Sequence, residues 1–292
     1  MSFKELDKET LTKLHNVELE ILKEFDRVCQ KNNLTYFAVG GTLIGTIRHE
    51  GFIPWDDDID LGMPRKDYDK FIEIANKELN NNFFVQSGYD YKNSWVSFTK
   101  IRKKNTLADE KTTVHIDYPK GIFIDIFPFD NTPTNQGFWF KVKCNIIKSM
   151  AEATLYKWQV KKINEIRRKN LCRFFALFSN KFLKKAQNIL MTSNNNKECK
   201  YLVSYCGSYS LYKETNLKDM ILPVKRKKFE NIEIFVPNDY HSYLTNIYGD
   251  YMQMPPKDKR VNHSMLEISF DVVKDKGEIT NEKKEKGSNQ KK

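Results

Sequence analysis

The sequence predicts an α/β fold: a mixed sheet flanked by helices, with a helical insertion. Helical and strand periodicities alternate through residues 1–135. The next stretch, about 136–191, reads as helix throughout, with residues 194–198 marking its end. Strand and helix patterns resume after it. A chain of 292 residues is long enough to bury a sizeable core.

Taken in order, Leu11, Leu14, Val17, Ile21, Phe25 and Val28 recur in steps of three and four, which predicts an amphipathic helix over 5–30. Residues 34–39 read as a buried strand, Gly40 and Gly41 as a tight turn, and 42–49 as a short helix. Leu43, Ile44 and Ile47 form that helix's buried stripe, leaving Thr42, Gly45, Arg48 and His49 on its other side. Residues 58–63 return as a strand, and 65–79 are helical by the spacing of Phe71, Ile72, Ala75 and Leu79. The stretches 95–102 and 121–129 are strand-like. Past the insertion come a strand at 232–237, a helix at 238–249 that Asn238 is placed to cap, and a loop at 254–260. The expected organisation is a catalytic core in 1–135, a basic helical insertion in 136–200, the C-terminal part of the catalytic domain in 201–272, and a tail in 273–292 too polar to order itself.

The net charge of +11 is local. Between positions 141 and 185, thirteen Lys or Arg stand against Glu152 and Glu165, which accounts for the whole surplus. This argues against a nucleic-acid surface spread over the protein. Phe174, Phe175, Phe178 and Phe182 are interleaved there with Arg173, Lys181, Lys184 and Lys185. That pattern suits either an interfacial helix on anionic lipid or a packed helical subdomain with a solvated basic face. The first ten residues are too charged for a secretory segment, and no apolar run approaches a membrane span. The expected location is the cytoplasm, with the basic segment a candidate for peripheral contact with the inner face of the membrane. The five cysteines lack CxxC or metal-ligand spacing and read as reduced thiols.

The chemistry concentrates in the "WDDDIDLGM" run. On a strand Asp58 and Asp60 project to one side while Ile59 and Leu61 enter the core. Paired carboxylates repel unless a cation lies between them, and hard oxygen ligands suit Mg²⁺ or Mn²⁺. Asp125 lies within "IFIDIFPF", where burial makes an isolated charge costly, so it needs a cation or a proton. A metal shared with Asp58 and Asp60 would satisfy all three. The free N–H groups opening the helix after Gly40 and Gly41 form an anion site.

Gly-Gly, then Asp-Ile-Asp, then an isolated strand aspartate resembles the nucleotidyltransferase superfamily. The fuller string "GGTLIGTIRHEGFIPWDDDIDLGM" is similar to the LicD family of phosphocholine transferases and, more distantly, to fukutin-related ribitol-phosphate transferases. "FENIEIFVPNDYHSYLTNIYGDYMQMPP", followed by Arg260 and His263, resembles the family's C-terminal signature. The resemblance implies a nucleotidyltransferase-like core. It implies Mg-dependent transfer of phosphocholine from CDP-choline to a sugar hydroxyl of a cell-surface glycan, lipid-linked glycan or teichoic acid precursor, releasing CMP. It further implies that Asp58, Asp60 and Asp125 hold the metal, with Gly40, Gly41, Thr42 and Arg48 at the diphosphate.

Lys100 and Arg102 alternate onto one strand face, where they meet either the donor or solvent. His49 and His263 are candidate polar site residues. A choline head needs aromatic faces, for which Trp55, Tyr91, Trp95, Tyr118, Tyr248 and Tyr251 are candidates. Rival readings are a CDP-ribitol or CDP-glycerol donor, NMP transfer from an NTP, and a membrane-surface scaffold without activity.

Overall fold

The computed structural model of the protein describes residues 6–90, 94–110, 112–256, 258, 260 and 265–270. The expected tail, His263 and Tyr91 lie outside the described residues.

Helix α1 (Lys8–Lys31) opens on Asp7, whose Oδ1 accepts the Thr10 N–H at 2.8 Å. Its buried stripe runs Leu11, Leu14, Glu18, Ile21, Phe25 and Val28. Strand β1 is only Phe37–Ala38, shorter than the sequence predicts. Helix α2 (Gly40–His49) begins at Gly40 itself, so the two glycines form its first turn and not a turn before it. Strand β2 (Asp60–Pro64) leads directly into α3 (Arg65–Glu78). Asp58 therefore precedes the strand, although Ile59 and Leu61 are fully buried as the alternation requires.

Strands β3 (Phe83–Gln86), β4 (Thr99–Lys103), β5 (Leu107–Glu110) and the long β6 (Phe123–Thr132) follow. The segment after them holds α4 (Phe138–Lys157), a 3-10 turn at Ile163–Glu165, α5 (Lys169–Ala176) and α6 (Asn180–Thr192). It is thus helical apart from the irregular connection after α4. The chain continues through β7 (Tyr201–Val203), β8 (Thr215–Leu217), α7 (Lys218–Ile221), the β9–β10 hairpin (Lys225–Phe229, Ile232–Val236), α8 (Tyr240–Tyr248) and β11 (Met265–Ser269). Asp239, not Asn238, caps α8: its Oδ1 accepts the Ser242 N–H at 3.0 Å.

Among the described residues the main sheet has seven strands in the order β1-β2-β6-β4-β3, with β7 and β8 continuing from the far half of β6. Within it β2 and β6 run parallel and the other pairs antiparallel, the mixed sheet the sequence predicts. The apolar sides of α1 and α3 pack with the sheet in one large core. Two smaller clusters form among α4, α5, α6 and β7.

At the seam between core and helices, the Arg65 guanidinium makes two 2.8 Å hydrogen bonds to the fully buried Asp130 carboxylate. Asn195 Nδ2 donates to the same carboxylate at 2.7 Å. Such fork-to-fork pairing keeps a buried ion pair satisfied. Among the described residues, no helix is long and apolar enough to cross a membrane. All five cysteines are free thiols.

Candidate active site

Three adjacent strands place three charges in a row. Asp60 on β2 is in register with Asp125 on β6, which is in register with Lys100 on β4. Register partners on neighbouring strands share a face, so the side chains meet. Lys100 Nζ donates to both Asp125 oxygens, at 2.7 and 2.9 Å, and lies 3.5 Å from the centre of the Phe123 ring. The cation that a buried Asp125 requires is thus supplied, in this arrangement, by Lys100. The sequence left a cation or a proton open for Asp125, and the cation beside it here is the Lys100 ammonium.

Burial first, then the charges of Asp58, Asp125 and Asp56, push the Asp60 carboxyl well above the usual range, with Lys100 opposing. Asp125 is also raised by burial, against the pull of Lys100 and Arg102. Glu18, buried on α1, is raised by burial and by Asp58, Asp57, Asp56 and Asp125. Among the described residues, none donates a hydrogen bond to its Oε2. One turn earlier His15 stacks on Phe52 at 3.9 Å and bonds the Asp56 carbonyl at 2.7 Å, fixing the loop that carries the acidic run.

At the two glycines that open α2, carboxylates lie close against the backbone. A Cβ on Gly40, whose φ is +58°, would fall 2.9 Å from Asp60 Oδ2, and one on Gly41 would collide with Asp56 Oδ2. The helix N-terminus therefore faces acidic side chains, and an incoming phosphate must share that space with them. Thr42 does not face the site as a free hydroxyl. It is buried, and its Oγ1 accepts the Asp60 N–H at 2.8 Å, fastening α2 to β2. Gly45 is buried against the backbone of Gly51 and Ile53.

A cavity of about 700 Å³ opens on the carboxylates, with Asp58, Asp60 and Asp125 in its wall beside Gly40, Gly41 and Arg48. Trp55, Tyr248 and Tyr251 line it as well. Arg48 donates to the Tyr251 carbonyl at 2.9 Å and to His49 Nε2 at 3.0 Å. Burial and the nearby charge of Arg260 lower the Arg48 pKa. Arg260 itself stacks over Trp55 at 5.0 Å. Arg48 thus brings a partly buried positive charge to the cavity wall.

Lys100 and Arg102 are neither solvated nor turned toward this larger cavity. Both are buried, and Arg102 donates to Gln86 Oε1 and the Gly121 carbonyl, each at 2.8 Å. They border instead a second cavity of about 290 Å³, which also carries Asp58, Asp125 and Trp95. Tyr118 supports Trp95 edge-on at 5.8 Å.

The donor set fits a hard divalent cation, because it is all carboxylate and its mutual repulsion is what a cation relieves. Among the described residues, no group of three His, Cys, Asp or Glu side chains already surrounds one metal-sized point. Ligation would accordingly require these side chains to turn, with Lys100 yielding part of its hold on Asp125.

Glu18 escapes the sequence reading because Val17, its neighbour, fits the apolar pattern as well. The signal available was a glutamate in register with Leu11, Leu14, Ile21 and Phe25, on a stripe that should carry no charge.

Residues 33–161 match the family described as LicD/FKTN/FKRP, nucleotidyltransferase domain. The chain is 29% identical over 269 residues to the lipopolysaccharide cholinephosphotransferase LicD of Haemophilus influenzae, covering 90% of this chain and 98% of that protein. Shorter similarities reach two uncharacterized proteins. One, of Rickettsia typhi, is 36% identical over 75 residues, 26% of this chain and 22% of that protein. The other, of Rickettsia prowazekii, is 32% identical over 114 residues, 39% of each.

Proposed function

From the premise that this chain belongs to the LicD family through residues 33–161, we propose that it transfers phosphocholine from CDP-choline to a sugar hydroxyl of a cell-surface glycan, releasing CMP. The observation that carries this reading is the gathering of Asp58, Asp60 and Asp125 in the wall of a 700 Å³ cavity that also presents Arg48 and aromatic faces. The lipopolysaccharide cholinephosphotransferase of Haemophilus influenzae, similar along nearly its whole length, supports the reaction class.

Phosphoryl-type displacement asks a protein mainly for positioning and charge neutralisation. Arg48, in the cavity wall, would hold the donor's diphosphate. Trp55, Tyr248 and Tyr251 line the cavity and are the candidate rings for a trimethylammonium group, which makes no hydrogen bonds and is held by cation–π contact. Asp58, Asp60 and Asp125 would hold Mg²⁺ or Mn²⁺, which when bound supplies Lewis-acid neutralisation of phosphate oxygens. The exposed Phe174, Leu177 and Phe182 beside basic side chains of 141–185 support peripheral contact with anionic lipid, where a lipid-linked glycan would be found.

CMP release from paired CDP-alcohols tests the donor. Cation–π contacts contribute about 0.5–2 kcal/mol each, so two or three rings give CDP-choline roughly a tenfold or greater advantage over CDP-glycerol. Equal use of the two, or a preference for CDP-ribitol, overturns choline as the alcohol while leaving the transfer chemistry in place. Pyrophosphate released from an NTP would assign NMP transfer instead.

A further inference from the structure

The smaller cavity meets the larger one at the carboxylates: Asp58, Phe98 and Asp125 line both. Beyond that common wall the 290 Å³ space is bounded by Trp95, Arg102, Glu110 and Phe123, and it is closed by Leu155 and Val160 from the helical segment. We propose that this second cavity is the acceptor subsite, binding one sugar residue of the glycan that receives the phosphocholine. The assignment rests on the transferase reading given above.

In-line displacement sets the attacking and leaving oxygens on opposite sides of phosphorus. Donor and acceptor must then reach the carboxylates by different routes, and two cavities divided by Asp58 and Asp125 provide them. The sizes divide the same way. A nucleoside diphosphate linked to an alcohol needs the 700 Å³ space, whereas 290 Å³ admits a single sugar ring.

The lining suits a sugar chemically. A pyranose presents C–H faces that lie on flat rings and hydroxyls that both donate and accept. Trp95, Phe98 and Phe123 supply rings, Glu110 and Asp58 acceptors, Arg102 and Lys120 donors. The ring wall is held firmly from behind: Trp95 packs on Tyr118 and Trp158, and the buried Lys184 Nζ donates to the carbonyls of Ser94, at 2.8 Å, and Val96. In the transfer the sugar hydroxyl oxygen bonds to the phosphocholine phosphorus. The bond from that phosphorus to its bridging oxygen breaks, CMP leaves with the bridging oxygen and the electron pair, and the hydroxyl proton passes to a wall carboxylate and on to water.

The test uses the full chain with Val160→Trp, which fills the cavity from its half-buried insertion side, and Glu110→Gln, which removes an acceptor without changing size. With CDP-choline and a panel of methyl hexosides and methyl N-acetylhexosaminides, the KM for glycoside should rise tenfold or more in both variants while the KM for CDP-choline stays within twofold. A rise in donor KM instead, or no change in either, overturns the assignment. Saturation-transfer NMR of the same glycosides reads the cavity without turnover. Signals present with the native protein and lost with Val160→Trp support the subsite; no signal, or one unaffected by the substitution, overturns it. Failure of the native protein to release CMP from any CDP-alcohol would instead defeat the transferase reading, and the NMR result stands apart from it.

Discussion

Asp60 and Asp125 differ in what neutralises them, so their amide variants should part company. Both Asp60→Asn and Asp125→Asn should abolish CMP release. In metal-free buffer, however, Asp60→Asn should keep or raise Tm, because it removes a half-buried carboxylate crowded by Asp58, Asp125 and Asp56. Asp125→Asn leaves Lys100 buried without its carboxylate, and losing one member of a buried pair costs about 3–5 kcal/mol. Its Tm should fall. The pH dependence has a definite sign: an acid whose folded pKa is raised above the ordinary 3.8 loses stability as pH climbs from there through the folded value. The advantage of Asp60→Asn should therefore shrink in acid, where the native carboxyl is already neutral. Thermal melts of the two variants across pH check both statements, and equal Tm shifts would contradict them.

Helix α2 shows how an element's role can reverse a propensity. Gly→Ala inside a helix ordinarily gains about 1 kcal/mol. At Gly45 the added Cβ would strike the Gly51 carbonyl and crowd the Ile53 N–H, so Gly45→Ala should instead cost roughly 1–3 kcal/mol, as overpacking does. Denaturant unfolding measures it. The sequence made this element, and the apolar periodicities of α1 and α3, legible, because period and residue type suffice for them. The gathering of Asp58, Asp60 and Asp125 was legible too, since alternation places the first two and an apolar strand isolates the third. The Lys100–Asp125 bond was not: it depends on the β4–β6 register, which no local pattern states. Nor was Asp239 in place of Asn238 as a cap, since adjacent residues of equal capping propensity differ only in the backbone each adopts. Lys184 read as one more charge of a basic face, whereas its position on α6 turns it inward.

On the scale of the whole molecule, the exposed Phe174, Leu177 and Phe182 leave an apolar patch on α5 and α6, while Cys172, Leu183 and Lys184 face inward. Phe174→Ser, Phe178→Ser and Phe182→Ser together should abolish sedimentation with anionic vesicles. Arg173→Gln, Lys181→Gln and Lys185→Gln should weaken it at low salt by roughly tenfold or more, at about 1 kcal/mol per cation. Unchanged sedimentation would leave the packed-subdomain reading.

The parallel pairing of β2 with β6 carries a further consequence, for how the chain reaches this fold. These strands lie some sixty residues apart in sequence, and their register alone brings Asp60 beside Asp125. A slip by one residue would turn one carboxylate to the opposite face and, with it, move Leu61 or Ile126 out of the core. The native register is therefore the self-repelling one, chosen because the apolar alternation outweighs the clash of charge. Closing this long loop is slow on entropic grounds alone, and the carboxylates add an electrostatic toll on the way in. Refolding of Asp60→Asn from urea should accordingly outpace the native chain at neutral pH and lose that lead in mild acid. Stopped-flow fluorescence would follow it, and identical rates at both pH values would mean the acidic cluster assembles only after the folding barrier is crossed.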